Sequence, residues 1–125
     1  MPYKIRNGEV SVFLQKKEEV AKMLPGRFVF FGGKMEQNET PEEAMKREIS
    51  EELNFLPKGY EFLNFYNFEN GLNFHMFMLE VDDDFESSIK ILGGEYGEWF
   101  SESNVLDELK LTEEGRIILR DCLGS

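Results

Sequence analysis

Thr40-Pro41-Glu42-Glu43-Ala44-Met45-Lys46-Arg47-Glu48-Ile49-Ser50-Glu51-Glu52-Leu53-Asn54 is the stretch on which the reading of the fold turns. Its ends carry full helix punctuation. Thr40 is a good N-cap, Pro41 fits the first helical position, and Glu43 completes a Thr-x-x-Glu capping box. Asn54 stands where a left-handed C-terminal cap belongs, a place where Asn ranks second to Gly. At about 100° per residue, Met45, Ile49 and Leu53 form one apolar stripe. Glu48, Glu51 and Glu52 share a neighbouring arc about 100° wide. One edge of this helix faces a core, and the flank beside it concentrates negative charge.

Strand patterns lie on both sides. Val10, Val12 and Leu14 alternate with Ser11, Phe13 and Gln15, which predicts a strand over 9–15. The Asn7-Gly8 turn signal before it suggests that Tyr3–Arg6 pairs with it as a short first strand. Arg27–Phe31 is a short apolar run that reads as a buried strand and stops at Gly32-Gly33. The charged stretch Lys16–Met23 reads as partly helical and is ended by Pro25-Gly26. Beyond the helix, Glu61–Phe68 and Leu72–Val81 flank Glu69-Asn70-Gly71 and predict a hairpin. Asp82–Ser88 reads as an acidic loop, Gly93-Gly94 breaks the chain, and Glu98–Phe100 is a short strand. Thr112-Glu113-Glu114 followed by Ile117-Ile118-Leu119 opens a C-terminal helix despite Gly115. This order predicts a mixed α/β sandwich.

Composition sets the limits. A chain of 125 residues fits one domain, 1–125, able to bury about two-thirds of its unfolded surface. With 14 Lys+Arg against 25 Asp+Glu the net charge is −11, which repels polyanions. Nonspecific nucleic-acid and anionic-membrane binding are therefore disfavoured. No stretch approaches the roughly 20 apolar residues of a spanning helix, and MPYKIRNGEV has no signal-peptide core. The single cysteine, Cys122, cannot form an internal disulfide and has no His or basic cluster beside it, so a cytoplasmic setting is expected and a nucleophilic role is not. Disulfide scaffolds, zinc fingers and coiled coils are disfavoured as well. The oligomeric state is left open by pattern alone.

Like charges three and four residues apart destabilise a bare helix, so the glutamate flank needs a counter-charge. A divalent cation such as Mg²⁺ or Mn²⁺ is held by such hard oxygen donors. Arg47, four residues from both Glu43 and Glu51, is placed to brace a carboxylate from the side. Taken alone, the three glutamates read equally well as a solvated acidic face.

The wider spacing decides between the two. Gly33, five residues, Glu39, seven residues, then Arg47-Glu48-Ile49-Ser50-Glu51-Glu52-Leu53-Asn54-Phe55 resembles the Nudix box, G-x5-E-x7-R-E-U-x-E-E-x-G-U, over residues 33–55. At roughly 7% per residue type, the match at Gly33, Glu39, Arg47, Glu48, Glu51 and Glu52 has a chance on the order of 10⁻⁷ per starting position. Asn54 departs from the family glycine, and Phe31-Gly32-Gly33-Lys34 replaces the commoner Pro-Gly-Gly. Weaker similarity to MutT-like members runs through Gln15-Lys16-Lys17, Phe30, Lys34 and the segment 95–100.

The resemblance implies a Nudix-type α/β/α sandwich with a central mixed β-sheet, and hydrolysis of a nucleoside diphosphate linked to another moiety. It implies Mg²⁺, with Mn²⁺ as a substitute, held by Glu48, Glu51, Glu52 and the Gly32 carbonyl. Catalysis would fall to Glu48 or Glu51 as base, with Glu95 (ahead of Glu98) contributed by a later loop and Lys34 meeting the leaving phosphate. Gly33, Glu39 and Arg47 would be framework. Lys16 and Lys17 are candidates for phosphate contact, and Phe30 and Phe74 for stacking on a base. Trp99 shares that possibility, whereas Phe28, Phe62, Phe65 and Phe77 are expected in the core. His75, inside an apolar strand pattern, is expected to pack on the sheet rather than act as a base. Within the family the leading reading is a MutT-like nucleoside triphosphate pyrophosphohydrolase whose substrates include oxidised nucleotides such as 8-oxo-dGTP. A nucleotide-sugar or dinucleoside-polyphosphate hydrolase and a non-catalytic nucleotide-binding regulator are the alternatives.

Overall fold

The computed structural model describes residues 1–19, 25–31, 35–69, 73–90 and 96–123. Six strands and three α-helices appear among them: β1 (Pro2–Arg6), β2 (Glu9–Lys16), β3 (Phe28–Val29), α1 (Pro41–Leu53), β4 (Tyr60–Asn67), β5 (Asn73–Glu80), α2 (Phe85–Ser88), β6 (Tyr96–Ser101) and α3 (Glu113–Cys122). A 3₁₀ turn, Val105–Asp107, precedes α3.

The β1–β2 hairpin turns on Asn7 (φ 52°) and Gly8 (φ 77°), two successive left-handed residues that match the twist of the flanking strands. β2 is the spine. Val12 pairs with Tyr3 of β1 and also with Phe100 of β6, so those strands take opposite edges. Gln15 pairs with Val29 and with Gly97, which puts β3 on the same edge as β1, further along. β1 then pairs in parallel with β5, and β5 antiparallel with β4, giving a mixed sheet. The order β3-β2-β1-β5-β4 leaves β4 at an edge.

Both faces of β2 are covered. Phe13 packs with Phe31, Met45, Ile49, Leu53, Phe77, Leu79 and Phe85 on the α1–α2 side. Val12 and Leu14 pack with Phe28, Met76, Ile118 and Leu119 on the α3 side. The result is the α/β/α sandwich. The alternation along β2 thus separates two apolar cores, not a core from solvent.

The sequence-based expectations need adjusting in places. The run 27–31 forms only a two-residue strand, because β2 offers β3 just its last two positions. The acidic loop contains α2, anchored by fully buried Phe85. β6 is longer than expected. Phe62 and Phe65 are not core: they are 50% and 45% exposed. A register shift between Phe62 and Asn64 turns both rings to one face of the edge strand, beside His75. In the stretch 16–23 expected to be partly helical, Lys16 ends β2 and 17–19 form no helix, the chain turning instead toward β3; its positions 20–23, 70–72 at the hairpin tip, and Gly93-Gly94 lie outside the described residues.

Candidate active site

α1 begins and ends as its punctuation dictates. The Thr40 hydroxyl accepts from the Glu43 amide while the Glu43 carboxylate accepts from the Thr40 amide. Asn54 adopts the left-handed conformation (φ 50°, ψ 45°) and its N–H reaches the Ser50 carbonyl. Buried Ala44, Met45, Ile49 and Leu53 seat the helix on the sheet, each large side chain contributing about 1.5–3 kcal/mol of burial. Its first turns are also tied to β4. The Tyr60 hydroxyl donates to Glu42, and Lys46 lies over the Tyr60 ring at 5.1 Å.

Arg47 organises the flank. Its Nε and Nη2 donate to Glu39 Oε2 at 2.7 Å and Oε1 at 3.0 Å, a two-bond clasp joining the pre-helix loop to α1. Its Nη1 donates to Glu48 at 3.0 Å and Glu51 at 3.1 Å, with Glu36 at 3.6 Å. Glu39 is steadied further by the Glu36 amide. Arg47, followed by that amide, holds the Glu39 carboxyl below its ordinary value. The guanidinium in turn is held more firmly protonated, above all by Glu39. The Glu43 carboxylate is used in the capping box.

The expected trio of glutamates is not drawn together. Among the described residues, no three acidic, His or Cys side chains form a group able to hold an ion. Arg47 sits at the point where Glu48 and Glu51 meet, and Glu52 is half-buried on the same flank. The donors nonetheless fit a hard divalent cation. Two carboxylates already converge on one positive nitrogen, Glu48 with its side chain 19% exposed and Glu51 with its side chain 60% exposed.

Other candidates divide. Gly32, Gly33, Lys34 and Glu95 lie outside the described residues. Glu98 pairs with Leu14 and so lies on the α3 face, away from α1. Lys16 also points to that face, where it meets Glu19 at 3.4 Å and the Tyr96 ring at 5.5 Å. The structure therefore does not bring it to the α1 carboxylates. Lys17 is fixed through its amide to the Arg27 carbonyl. Phe30 and Phe74 do come together, edge to face at 6.5 Å, beside a cleft that Met1 and Met45 also line. Its volume of ≈ 20 Å³ admits about one water, so a base would have to part the rings.

Trp99 is locked between Phe13 at 5.0 Å and Phe85 at 6.0 Å, with Lys4 Nζ 4.3 Å above its ring, which removes it as a stacking platform. Lys4 is buried and paired with Glu86 at 3.1 Å, a cluster that pattern reading missed because a lysine in a strand reads as solvent-facing. His75 lies tilted against Phe65, ring centroids 4.5 Å apart, on the sheet surface. Glu36 was also missed as a partner of Arg47, since nothing in its spacing marks it.

Comparison with known proteins agrees with this architecture. The NUDIX domain family model matches residues 3–122. A curated relative, the 8-oxo-dGTP diphosphatase of Escherichia coli (strain K12), is 34% identical over 65 residues. That alignment takes in 52% of this chain and 50% of the relative, so the chain spans about half the length of the curated relative it matches. Among solved structures, a MutT studied from Aliivibrio salmonicida and Vibrio cholerae superposes with a TM-score of 0.72 at 19% identity, covering 99% of this chain and 91% of that one. DR0079 from Deinococcus radiodurans gives 0.76 at 17% identity, covering 97% and 79%. A C. elegans Ap4A hydrolase gives 0.66 at 17%, covering 97% and 89%. The chain belongs to the NUDIX domain family.

Proposed function

We propose that this protein is a Mg²⁺-dependent pyrophosphohydrolase that cleaves the diphosphate linkage of a nucleoside triphosphate to give the nucleoside monophosphate and pyrophosphate. The observation that carries this reading is the convergence of Glu48 and Glu51 on one point, fixed by the Arg47–Glu39 clasp. Oxidised nucleotides such as 8-oxo-dGTP are the first substrates to test, in view of the curated relative's activity.

Glu48, Glu51 and Glu52 would hold Mg²⁺, with Mn²⁺ as a substitute and the Gly32 carbonyl as a further donor. When bound, the ion offsets phosphate charge that a chain of net charge −11 would otherwise repel. Water forms a bond to one phosphorus of the α–β bridge, the bond from that phosphorus to the bridging oxygen breaks, and a carboxylate takes the water's proton. Glu51, the more exposed of the converging pair, is the candidate to accept it, with Glu48 and Glu95 as the others. Lys34 would meet the departing phosphate. Lys17, Phe30 and Phe74 are the remaining candidates for substrate contact.

The test is a panel of ordinary and oxidised dNTPs, nucleotide sugars and dinucleoside polyphosphates, incubated with Mg²⁺ or with EDTA and read by product mass. A monophosphate plus pyrophosphate, formed only with the metal and reduced about 10²- to 10⁴-fold by Glu51→Gln, supports the proposal. Turnover confined to dinucleoside polyphosphates or nucleotide sugars would move the substrate assignment. Binding without turnover across the whole panel would mark a nucleotide-binding regulator.

A further inference from the structure

Among the described residues, no strand pairs with the outer edge of β4, which is eight residues long. Charged residues make up 31% of the chain, yet Glu61 is the only charge in this strand, which holds no Lys, Arg or Pro. Lysine and proline are the residues that ordinarily keep an edge strand from pairing. Phe62 and Phe65, both exposed, stand on its α1 side, Phe62 5.3 Å from Phe77 and Phe65 4.5 Å from His75. They are three residues apart, a spacing that would put them on opposite faces of a regular strand. Leu63 is the extra residue that changes this. Phe62 pairs with Phe77 and Asn64 with Met76, so β4 is bulged at its middle.

We propose that the β4 edge docks a second copy of this chain through an antiparallel β4–β4 pair whose two-fold axis passes through the bulge. Residues opposed across such a pair must lie on the same face. With the axis between Leu63 and Asn64, Phe62 lies opposite the partner's Phe65, and Phe65 opposite the partner's Phe62. All four rings are then on the α1 side of one continuous sheet, and Glu61 lies opposite the partner's Tyr66, not a second carboxylate. Farther out, Lys58, two residues before β4, is brought to the partner's Glu69, two residues after it, and both are exposed. Opposite charges thus meet at both ends of the interface, on a chain whose net charge of −11 opposes self-association elsewhere. The bulge selects the occupant. A regular strand keeps its faces matched past the bulge only by leaving Leu63 unopposed, as β5 does, whereas an identical strand matches every residue about the axis. In the single chain the Asn64 carboxamide accepts from the Phe65 amide at 2.8 Å, which satisfies that donor when no second copy is bound.

Sedimentation equilibrium of the full chain tests this without substrate or metal. The wild type is expected to pass from monomer to dimer with rising concentration and to stop there, because the pairing uses up the edge. Phe62→Lys and Phe65→Lys, both at exposed positions, should each weaken the dimer at least about ten-fold with an unchanged circular dichroism spectrum. Lys58→Glu should weaken it about three- to ten-fold by setting like charges together at both ends. The double variant Lys58→Glu/Glu69→Lys should restore the wild-type dissociation constant, which only this register predicts. Should either phenylalanine variant fail to fold, the charge swap carries the test. A wild type monomeric at every concentration, a dimer indifferent to Phe62→Lys and Phe65→Lys, a swap that restores nothing, or growth beyond the dimer overturns the inference.

Discussion

Arg47 does two jobs at residue scale, and they separate with pH. Its planar fork makes parallel bonds to Glu39, which an ammonium cannot reproduce. Arg47→Lys is therefore expected to lower Tm at neutral pH. The Glu39 carboxyl is held below its ordinary value of 4.5, first by Arg47. A depressed carboxyl stabilises the fold fully above its unfolded value and loses that contribution as pH falls through the folded one. The Tm gap between wild type and Arg47→Lys should accordingly be full above pH 4.5 and close below it. A gap that ignores pH would contradict the clasp. Cys122 gives an independent check on the α3 core. Burial pushes its thiol from 9.0 up to about 11, so alkylation at neutral pH should run about 100-fold slower than for an unperturbed thiol. Reaction at the free-thiol rate would show that α3 is not seated as described.

The elements show where sequence pattern was informative. α1 was legible to the residue because its signals are local: Thr40, Pro41, Glu43 and Asn54 each act on the backbone within one turn. Thr40→Ala removes the hydroxyl that accepts from the Glu43 amide, while the backbone N–H at position 40 can still donate to the Glu43 carboxylate; the loss should cost about 1 kcal/mol, or about 3–5 °C in Tm. An unchanged Tm would mean that packing alone holds the helix start. The β1–β2 and β4–β5 pairings were legible for the same local reason. What pattern could not give were features set by distant partners. The shortness of β3 depends on how far β2 extends, and the exposure of Phe62 and Phe65 depends on a register shift against β5. Lys4 is buried only because Trp99 and Glu86 close over it from residues more than eighty positions away.

At the scale of the whole molecule, charge is the governing quantity. A net charge of −11 on 125 residues makes the empty protein self-repelling, and the α1 flank adds local repulsion that Arg47 only partly relieves. Millimolar Mg²⁺ is therefore expected to raise Tm by more than the same ionic strength of NaCl, since a site-bound ion stabilises by mass action whereas salt only screens. Equal shifts would reduce the effect to screening. The glutamates of the candidate site were legible from spacing, but their arrangement was not. Sequence placed Glu48, Glu51 and Glu52 on one flank; only the packed structure put Arg47 Nη1 between the first two and set Lys16 and Glu98 on the opposite face of the sheet. Among the described residues, no helix is long and apolar enough to cross a membrane.

The central claim is that the α1 carboxylates hold a divalent cation, and a Mn²⁺ titration followed by electron paramagnetic resonance addresses it most directly. The account predicts saturable uptake by the wild type, weakened at least about ten-fold in Glu48→Gln and in Glu51→Gln while both variants keep their fold. Undiminished uptake in both variants would place the ion elsewhere and contradict the account.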